Sequence, residues 1–167
     1  MQAVFPEPRQ GSRRRPHGIS EVRQFPVMTE TALHELIRTR PFGVLATIRR
    51  DGRPQLSNVN HCYDTEAGTI LVSLTDGRAK TRNLRRDPRA SFHVSTADGW
   101  SYAVAEGTAE LSAVAKDPHD EAVEELVDLY RKIRGEHPDW DEYRAAMVND
   151  ERLVLRLRVE RVIGVIQ

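Results

Sequence analysis

The sequence has little of what marks several large classes of protein. Its single cysteine, Cys62, excludes an intrachain disulfide and favours a reducing compartment. No apolar run approaches the roughly 18 residues of a membrane span, and no secretory signal pattern opens the chain. The formal net charge is zero, whereas general nucleic-acid-binding domains are usually basic. We therefore expect a cytoplasmic protein that binds neither membranes nor nucleic acid.

Several catalytic and metal-binding motifs are also missing. The chain contains no Gly-x-Gly-x-x-Gly, no P-loop and no Cys-x-x-Cys. The six histidines are scattered without the paired spacing of metal ligands, so no metal site is predicted. No nucleophile signature surrounds Cys62, and we interpret it as a half-buried strand residue.

Composition divides the chain at about residue 28. Residues 1–27 contain four prolines, the triple arginine 13–15 and no apolar periodicity, so they predict a disordered N-terminal extension. There are two alternative interpretations. Met28 is the true start, or the segment is a basic arm that binds nucleic acid or acidic lipid. Residues 28–167 read as one globular domain, since 39% of the chain is hydrophobic and 30% charged.

Periodicity within this domain predicts an α+β fold. Helical spacing of Leu33, Leu36 and Ile37 indicates a helix over 29–40, which Pro41 ends. Another helix is expected to be capped by Asp117 and closed by Gly135. A further helix lies around 141–149, and about six antiparallel strands form a small barrel. The strand-like runs are 42–48, 54–63, 69–74, 90–95, 100–111, 153–159 and 162–166.

A basic stretch, residues 78–89, follows strand 69–74 and the turn 75–77. It holds six cationic side chains against one acid, Asp87. Free amides at the start of a helix and the positive end of its dipole favour an anion, so Arg78 and Lys80 predict a phosphate site. The remaining arginines are expected at a subunit interface or in solvent. The alternative is a solvated amphipathic helix anchored only by Leu84.

Two further features suggest contact with a flat ring. Side chains alternate between the two faces of the predicted strand 55–63. Neither face is purely apolar, so one face could line a polar cavity. The faces are Gln55, Ser57, Val59, His61 and Tyr63 on one side, and Leu56, Asn58, Asn60 and Cys62 on the other. An edge strand with solvated polar side chains is the alternative. Trp100, just after a turn, could stack on a ring or on a partner subunit, or pack in the core.

Four segments resemble the flavin/deazaflavin oxidoreductase superfamily, the split β-barrel group that includes pyridoxamine 5′-phosphate oxidase. The likeness is strongest to its actinobacterial branch of F420-dependent enzymes. It runs from about residue 29 to the C-terminus. The segments are 43–48 (Gly-Val-Leu-Ala-Thr-Ile), 51–59, 78–91 and 98–107.

This resemblance implies a six-stranded antiparallel split β-barrel with peripheral helices, and a homodimer whose cofactor sites lie at the subunit interface. The cofactor would be coenzyme F420, with FMN as the alternative. Strand 55–58 would run beside its ring, the basic stretch would hold its phosphate, and Trp100 would lie near it. The implied cofactor-binding residues are Gln55, Leu56, Ser57, Asn58, Arg78, Ala79, Lys80, Thr81, Asn83 and Trp100.

The activity implied is hydride transfer between reduced F420 and an unsaturated small molecule. No catalytic side chain is assigned, because the cofactor carries that chemistry. A non-catalytic F420-binding or storage protein remains the alternative outside the enzyme class. The chain departs from true pyridoxamine phosphate oxidases, which carry an Arg-x-His motif near the C-terminus. Here no histidine follows His137, so that oxidation is not expected.

Overall fold

The structure, a computed structural model, describes residues 30–167. The predicted extension 1–27 lies outside the described residues. Within them, no helix is long and apolar enough to cross a membrane. The helices are α1 (Glu30–Thr39), α2 (Ala79–Arg86), α3 (Glu121–Arg134) and α4 (Trp140–Asn149). The strands are β1 (Phe42–Ile48), β2 (Pro54–Asn60), β3 (Cys62–Asp64), β4 (Thr69–Thr75), β5 (Arg89–Ser95), β6 (Tyr102–Leu111) and β7 (Arg152–Val165).

All strand pairs are antiparallel, in the order β2-β1-β5-β6-β7-β4-β3. The α+β class and the antiparallel barrel are confirmed, with seven strands in place of about six. The run 54–63 breaks at His61 into β2 and β3, which lie at opposite edges of the sheet. Because one residue joins these two edges, the sheet must curl round on itself. The two predicted C-terminal strands are one long strand, β7.

The inner face of the curled sheet packs against α1. The predicted helical stripe of Leu33, Leu36 and Ile37 is buried there together with Leu45 and Phe92. Gly43 makes this packing possible, because a Cβ at that position would lie 2.1 Å from the Phe92 ring. A glycine in β1 is therefore required by the close approach of an aromatic ring.

Helices α3 and α4 cover only part of the outer face, over β4, β7 and β3. The prediction that Asp117 caps α3 is wrong, because the helix begins one turn later. Asp120 is the N-cap, and its carboxylate accepts from Val123 N at 2.8 Å. Asp117 instead accepts from His119 N within the preceding turn. Closure of α3 at Gly135 is confirmed.

The rest of the outer face, on β2, β1, β5, β6 and the end of β7, is not covered by any described element. Leu56 is opposite Ala46 and diagonal to Val44, and Ile163 is opposite Val104 in the cross-strand row that also contains Val44. Leu56 is 64% exposed, and Trp100 in the adjoining turn is 67% exposed. Exposed apolar patches of this kind mark interaction surfaces.

Candidate functional site

Helix α2 is fixed to the barrel by two buried polar side chains. Thr81 Oγ1 donates to the carbonyl of Thr75 at 2.8 Å, which holds the first turn against the end of β4. Asn83 Nδ2 donates to Thr47 Oγ1 at 3.1 Å, which ties the helix to β1. Arg78 is the N-cap and makes no side-chain capping bond, and the first turn contains no acid. The positive end of the helix dipole is therefore not neutralised by an acidic side chain in the first turn of α2.

The six cations of the basic stretch divide into two groups. Four are bound within the chain: Arg82 to the Gly77 carbonyl, Arg85 to Asp76, Arg86 to the Ile48 carbonyl and Arg89 to Asp87. These arginines, expected at an interface or in solvent, thus have partners in their own subunit. The side chains of Arg78 and Lys80 make neither a hydrogen bond nor an ion pair within residues 30–167.

Both free cations line a cavity of about 420 Å³ between the ends of β2 and β4 and the helices α3 and α4. Arg152, at the start of β7, lies in the same wall and is bonded only weakly, to Asp150 and Ser73 at 3.4 Å each. Burial, followed by the charges of Arg78 and Arg152, lowers the pKa of Lys80. No acid is among the described residues that line the cavity. This concentration of unpaired positive charge suits a bound anion.

The opposite wall of the cavity is apolar and aromatic. Helix α3 contributes Leu129, Tyr130 and Ile133, and α4 contributes Tyr143 and Met147. The Tyr143 hydroxyl donates to the Leu126 carbonyl at 3.1 Å, and burial raises the pKa of Tyr143 to about 12. Its ring lies edge-on to Tyr130, with centroids 4.9 Å apart. A cavity that combines apolar walls with a few convergent polar groups is typical of small-molecule sites.

Three of the predicted cofactor residues, Asn58, Arg78 and Lys80, line this cavity, and Ala79 is exposed beside them. The other six do not line it. Leu56 and Trp100 lie on or beside the uncovered outer face. Of the remaining four, Gln55, Ser57 and Asn83 form one polar network with Thr47 between β2, β1 and α2. Thr81 is bonded separately, to the carbonyl of Thr75.

That network gives Gln55 and Ser57 partners inside the chain. Gln55 Nε2 donates to Ser57 Oγ at 2.8 Å, and Gln55 Oε1 lies 3.4 Å from Asn83 Nδ2. In this conformation these side chains join β2 to α2. The strand is an edge strand, which was the alternative interpretation, and Asn58 on its exposed face lines the cavity. The network explains why polar residues occur on the inner side of this strand.

Sequence reasoning missed Arg152 and the α3–α4 wall. Arg152 reaches the cavity because β7 pairs with β4 and sets Arg152 opposite Thr75. Pairing between strands so distant along the chain has no local signal. Tyr130 and Ile133 are on the predicted helix α3, but the prediction of a helix does not show which of its side chains line a cavity.

The comparisons with known proteins agree with this architecture. The family model described as pyridoxamine 5′-phosphate oxidase matches residues 29–166. The chain belongs to the pyridoxamine 5′-phosphate oxidase family. The match covers the whole curled sheet together with its helices.

Solved structures share the fold. A conserved hypothetical protein from Mycobacterium tuberculosis is 26% identical, with a TM-score of 0.64 over 83% of this chain and 84% of the other. An F420 reductase is 24% identical, with a TM-score of 0.58 over 78% of this chain and 94% of the other. A FAD-binding protein from Mesorhizobium loti is 17% identical, with a TM-score of 0.58 over 82% and 92%.

Proposed function

We propose that this protein is an oxidoreductase that binds coenzyme F420 and transfers a hydride between it and an unsaturated small molecule. One observation carries the proposal. Arg78, Lys80 and Arg152 converge on a cavity that has an apolar wall and no acid among its described lining residues. Such a site fits a ligand with both a phosphate and a flat organic ring.

The residues present fit the phosphate of this cofactor. Arg78 and Lys80 have no other partner among the described residues, and the start of α2 adds its dipole and first-turn amides. Charge-assisted hydrogen bonds from Lys and Arg to phosphate are among the strong polar contacts in proteins. Arg152 adds a third cation from β7.

When bound, reduced F420 supplies the hydride. The chain would bind, orient and shield the reacting group. Asn58 is exposed on β2 at the rim of the cavity, where its amide can both donate and accept a hydrogen bond. Tyr130 and Met147 offer apolar contact that excludes water from the opposite side.

The fold does not choose among cofactors. Proteins with the same fold include an F420 reductase, a FAD-binding protein from Mesorhizobium loti and a haem-binding protein from Mycobacterium smegmatis. The cation site favours a phosphorylated cofactor, and FMN shares that group with F420. The choice of F420 rests on the resemblance of the segments 78–91 and 98–107 to F420-dependent enzymes, and FMN is the alternative outcome of the experiment below.

We also propose that the protein is a homodimer joined through the uncovered outer face. That face carries Phe42, Leu56 and Ile163 as exposed apolar side chains, and Trp100 adjoins it. Leu56 neighbours Asn58 along β2, so a partner subunit on this face would lie close to the rim of the cavity. The predicted contacts of Leu56 and Trp100 with the cofactor would then be made to the site that the two subunits share.

The test is a parallel fluorescence and absorbance titration of the purified protein with F420 and with FMN, followed by turnover of reduced F420 with a panel of enones. Lys80→Ala should weaken F420 binding by about 1–3 kcal/mol, because a charge-assisted phosphate contact is lost. Arg89→Ala is the matched control, since it removes one charge that Asp87 already pairs.

Tighter binding of FMN would shift the proposal to FMN, and saturable F420 binding without turnover would indicate a binding or storage protein. If F420 does not bind at millimolar concentration, the proposal is wrong.

A further inference from the structure

His93 lies in the middle of a cross-strand row on the uncovered outer face. Its neighbours along β5, Phe92 and Val94, are buried in the core, so the His93 side chain points to the other side of the sheet. Its cross-strand partners are Val44 on β1 and Val104 on β6. Directly opposite side chains of antiparallel strands have Cβ atoms about 4.5–5.5 Å apart. The imidazole is therefore flanked by two valines.

This row joins two features of the proposed dimer. It ends at Asn58, on the rim of the cavity, and at Ile163, which is 42% exposed. His93 lies between them and is itself half-buried. A partner subunit that covers Leu56 and Ile163 would therefore cover His93 as well.

The His93 ring has no polar partner that could stabilise a charge. Its nitrogens make no hydrogen bond within residues 30–167, and the ring stacks on Tyr102 with centroids 6.0 Å apart. In the two adjoining rows of the described sheet, the only ionised side chains are Glu106 and Arg161, which pair with each other at 2.8 Å. No unpaired carboxylate therefore lies beside His93 in these rows.

We propose that His93 makes the dimer sensitive to pH: the neutral ring fits an apolar interface, and its protonation releases the partner subunit. The inference rests on the homodimer proposed above and adds its regulation. A two-fold contact uses the same face of both subunits, so each dimer would cover two such rings.

The sign of the effect follows from the cost of covering a charge. A protonated imidazole that loses its water without gaining a counter-ion is destabilised, so a covered His93 resists protonation. The separated subunits then bind more protons than the dimer does. By linkage, the dimer becomes less stable as the pH falls.

The other described histidines lie away from the outer face: His34, His61, His119 and His137. Burial lowers the pKa of His61, so protonation of that ring at low pH would destabilise the fold of the subunit. His61 is unchanged in every variant below. A pH effect that came from His61 would therefore persist in all of them.

The experiment measures the Kd of the dimer by sedimentation equilibrium at about pH 7.5 and about pH 5.5, at one ionic strength. Imidazoles in water titrate near pH 6.5. Exclusion of one proton from each of two rings should raise the wild-type Kd by about 10- to 100-fold at the lower pH. Circular dichroism at both pH values shows whether the subunit is folded.

Two substitutions of His93 separate charge from packing. His93→Leu cannot titrate, so its Kd should change by less than about threefold between the two pH values. His93→Lys carries a charge at both pH values and should be monomeric at both, so it tests the proposal without acid. His119→Gln, in the exposed turn before α3, is the matched control and should keep the wild-type response.

The outcomes distinguish the role of His93 from the dimer itself. A wild-type Kd that does not change with pH, a His93→Leu variant that keeps the wild-type change, or a dimeric His93→Lys would overturn the role of His93. Each of these would leave the dimer standing. Wild-type protein that is monomeric at both pH values at about 1 mM would overturn the dimer and its regulation together.

Discussion

Lys80 is the residue on which the cofactor site depends most. Its side chain is partly buried beside two other cations, and it has no ion-pair partner among the described residues. Burial and like charge both disfavour the ammonium form, which is why its pKa is lowered. The negative charge of a bound phosphate would offset both effects. In the absence of a ligand, the site keeps a charge that costs the fold stability.

The pH dependence of anion binding should follow the protonation state of Lys80. Between the lowered pKa of folded Lys80 and its ordinary value of 10.5, the unfolded chain holds more protons, so Lys80 makes the free energy of unfolding rise with pH. Anion affinity should fall over the same window, because Lys80 loses its charge. Lys80→Arg keeps the charge. We expect the ratio of wild-type to Lys80→Arg Kd to increase from pH 7 to 9.5. Parallel curves would show that Lys80 does not bind the anion.

At the scale of the element, α2 places its cations because two of its polar side chains are used for anchoring. Thr81 and Asn83 face the barrel, while Arg78 and Lys80 face the cavity. The strand, turn and helix were predictable from local sequence. Local sequence could not predict which residues of α2 anchor the helix and which face the cavity. That division depends on Thr47, which lies 36 positions from Asn83 along the chain.

Removal of the Asn83 anchor should lower stability. Asn83→Ala leaves Thr47 and Gln55 without their buried partner, so the free energy of unfolding should fall by about 1–3 kcal/mol. Chemical denaturation measures it. Asn149→Ala, at the exposed end of α4, is the control and should change stability by less than about 0.5 kcal/mol. Unchanged stability together with a large loss of cofactor affinity would assign Asn83 to the ligand.

Other elements show where local reasoning succeeded and failed. Helix α1 was predicted from the spacing of three apolar residues, and all three are buried. The N-cap of α3 was misplaced because Asp117, followed by Pro118, has the sequence of a helix start, whereas the true cap is Asp120, one turn later. The break between β2 and β3 has no Gly or Pro to mark it. The chain passes at His61 from one edge strand of the curled sheet, β2, to the other edge strand, β3.

At the scale of the whole molecule, the outer face of the sheet is covered unequally. Helices α3 and α4 bury the side over β4 and β7 and also form one wall of the cavity. The side over β1, β2, β5 and β6 is left to solvent in the single chain. The family resemblance predicted a dimer, and the uncovered apolar face gives that prediction a specific surface.

A charge placed on this surface should separate the subunits. Leu56→Glu puts a carboxylate beside Val44, Ala46 and Asn58, where a partner would have to bury it, so the dimer should dissociate at micromolar concentration. Leu56→Met is the control and should remain dimeric, because it preserves size and polarity. Sedimentation equilibrium gives the mass, and thermal denaturation shows that the variant is folded.

If the two subunits share the cofactor site, monomeric Leu56→Glu should also bind F420 more weakly than Leu56→Met does. A wild-type protein that is monomeric at about 1 mM would exclude this surface as a stable dimer contact, because a Kd of about 1 mM corresponds to only about 4 kcal/mol.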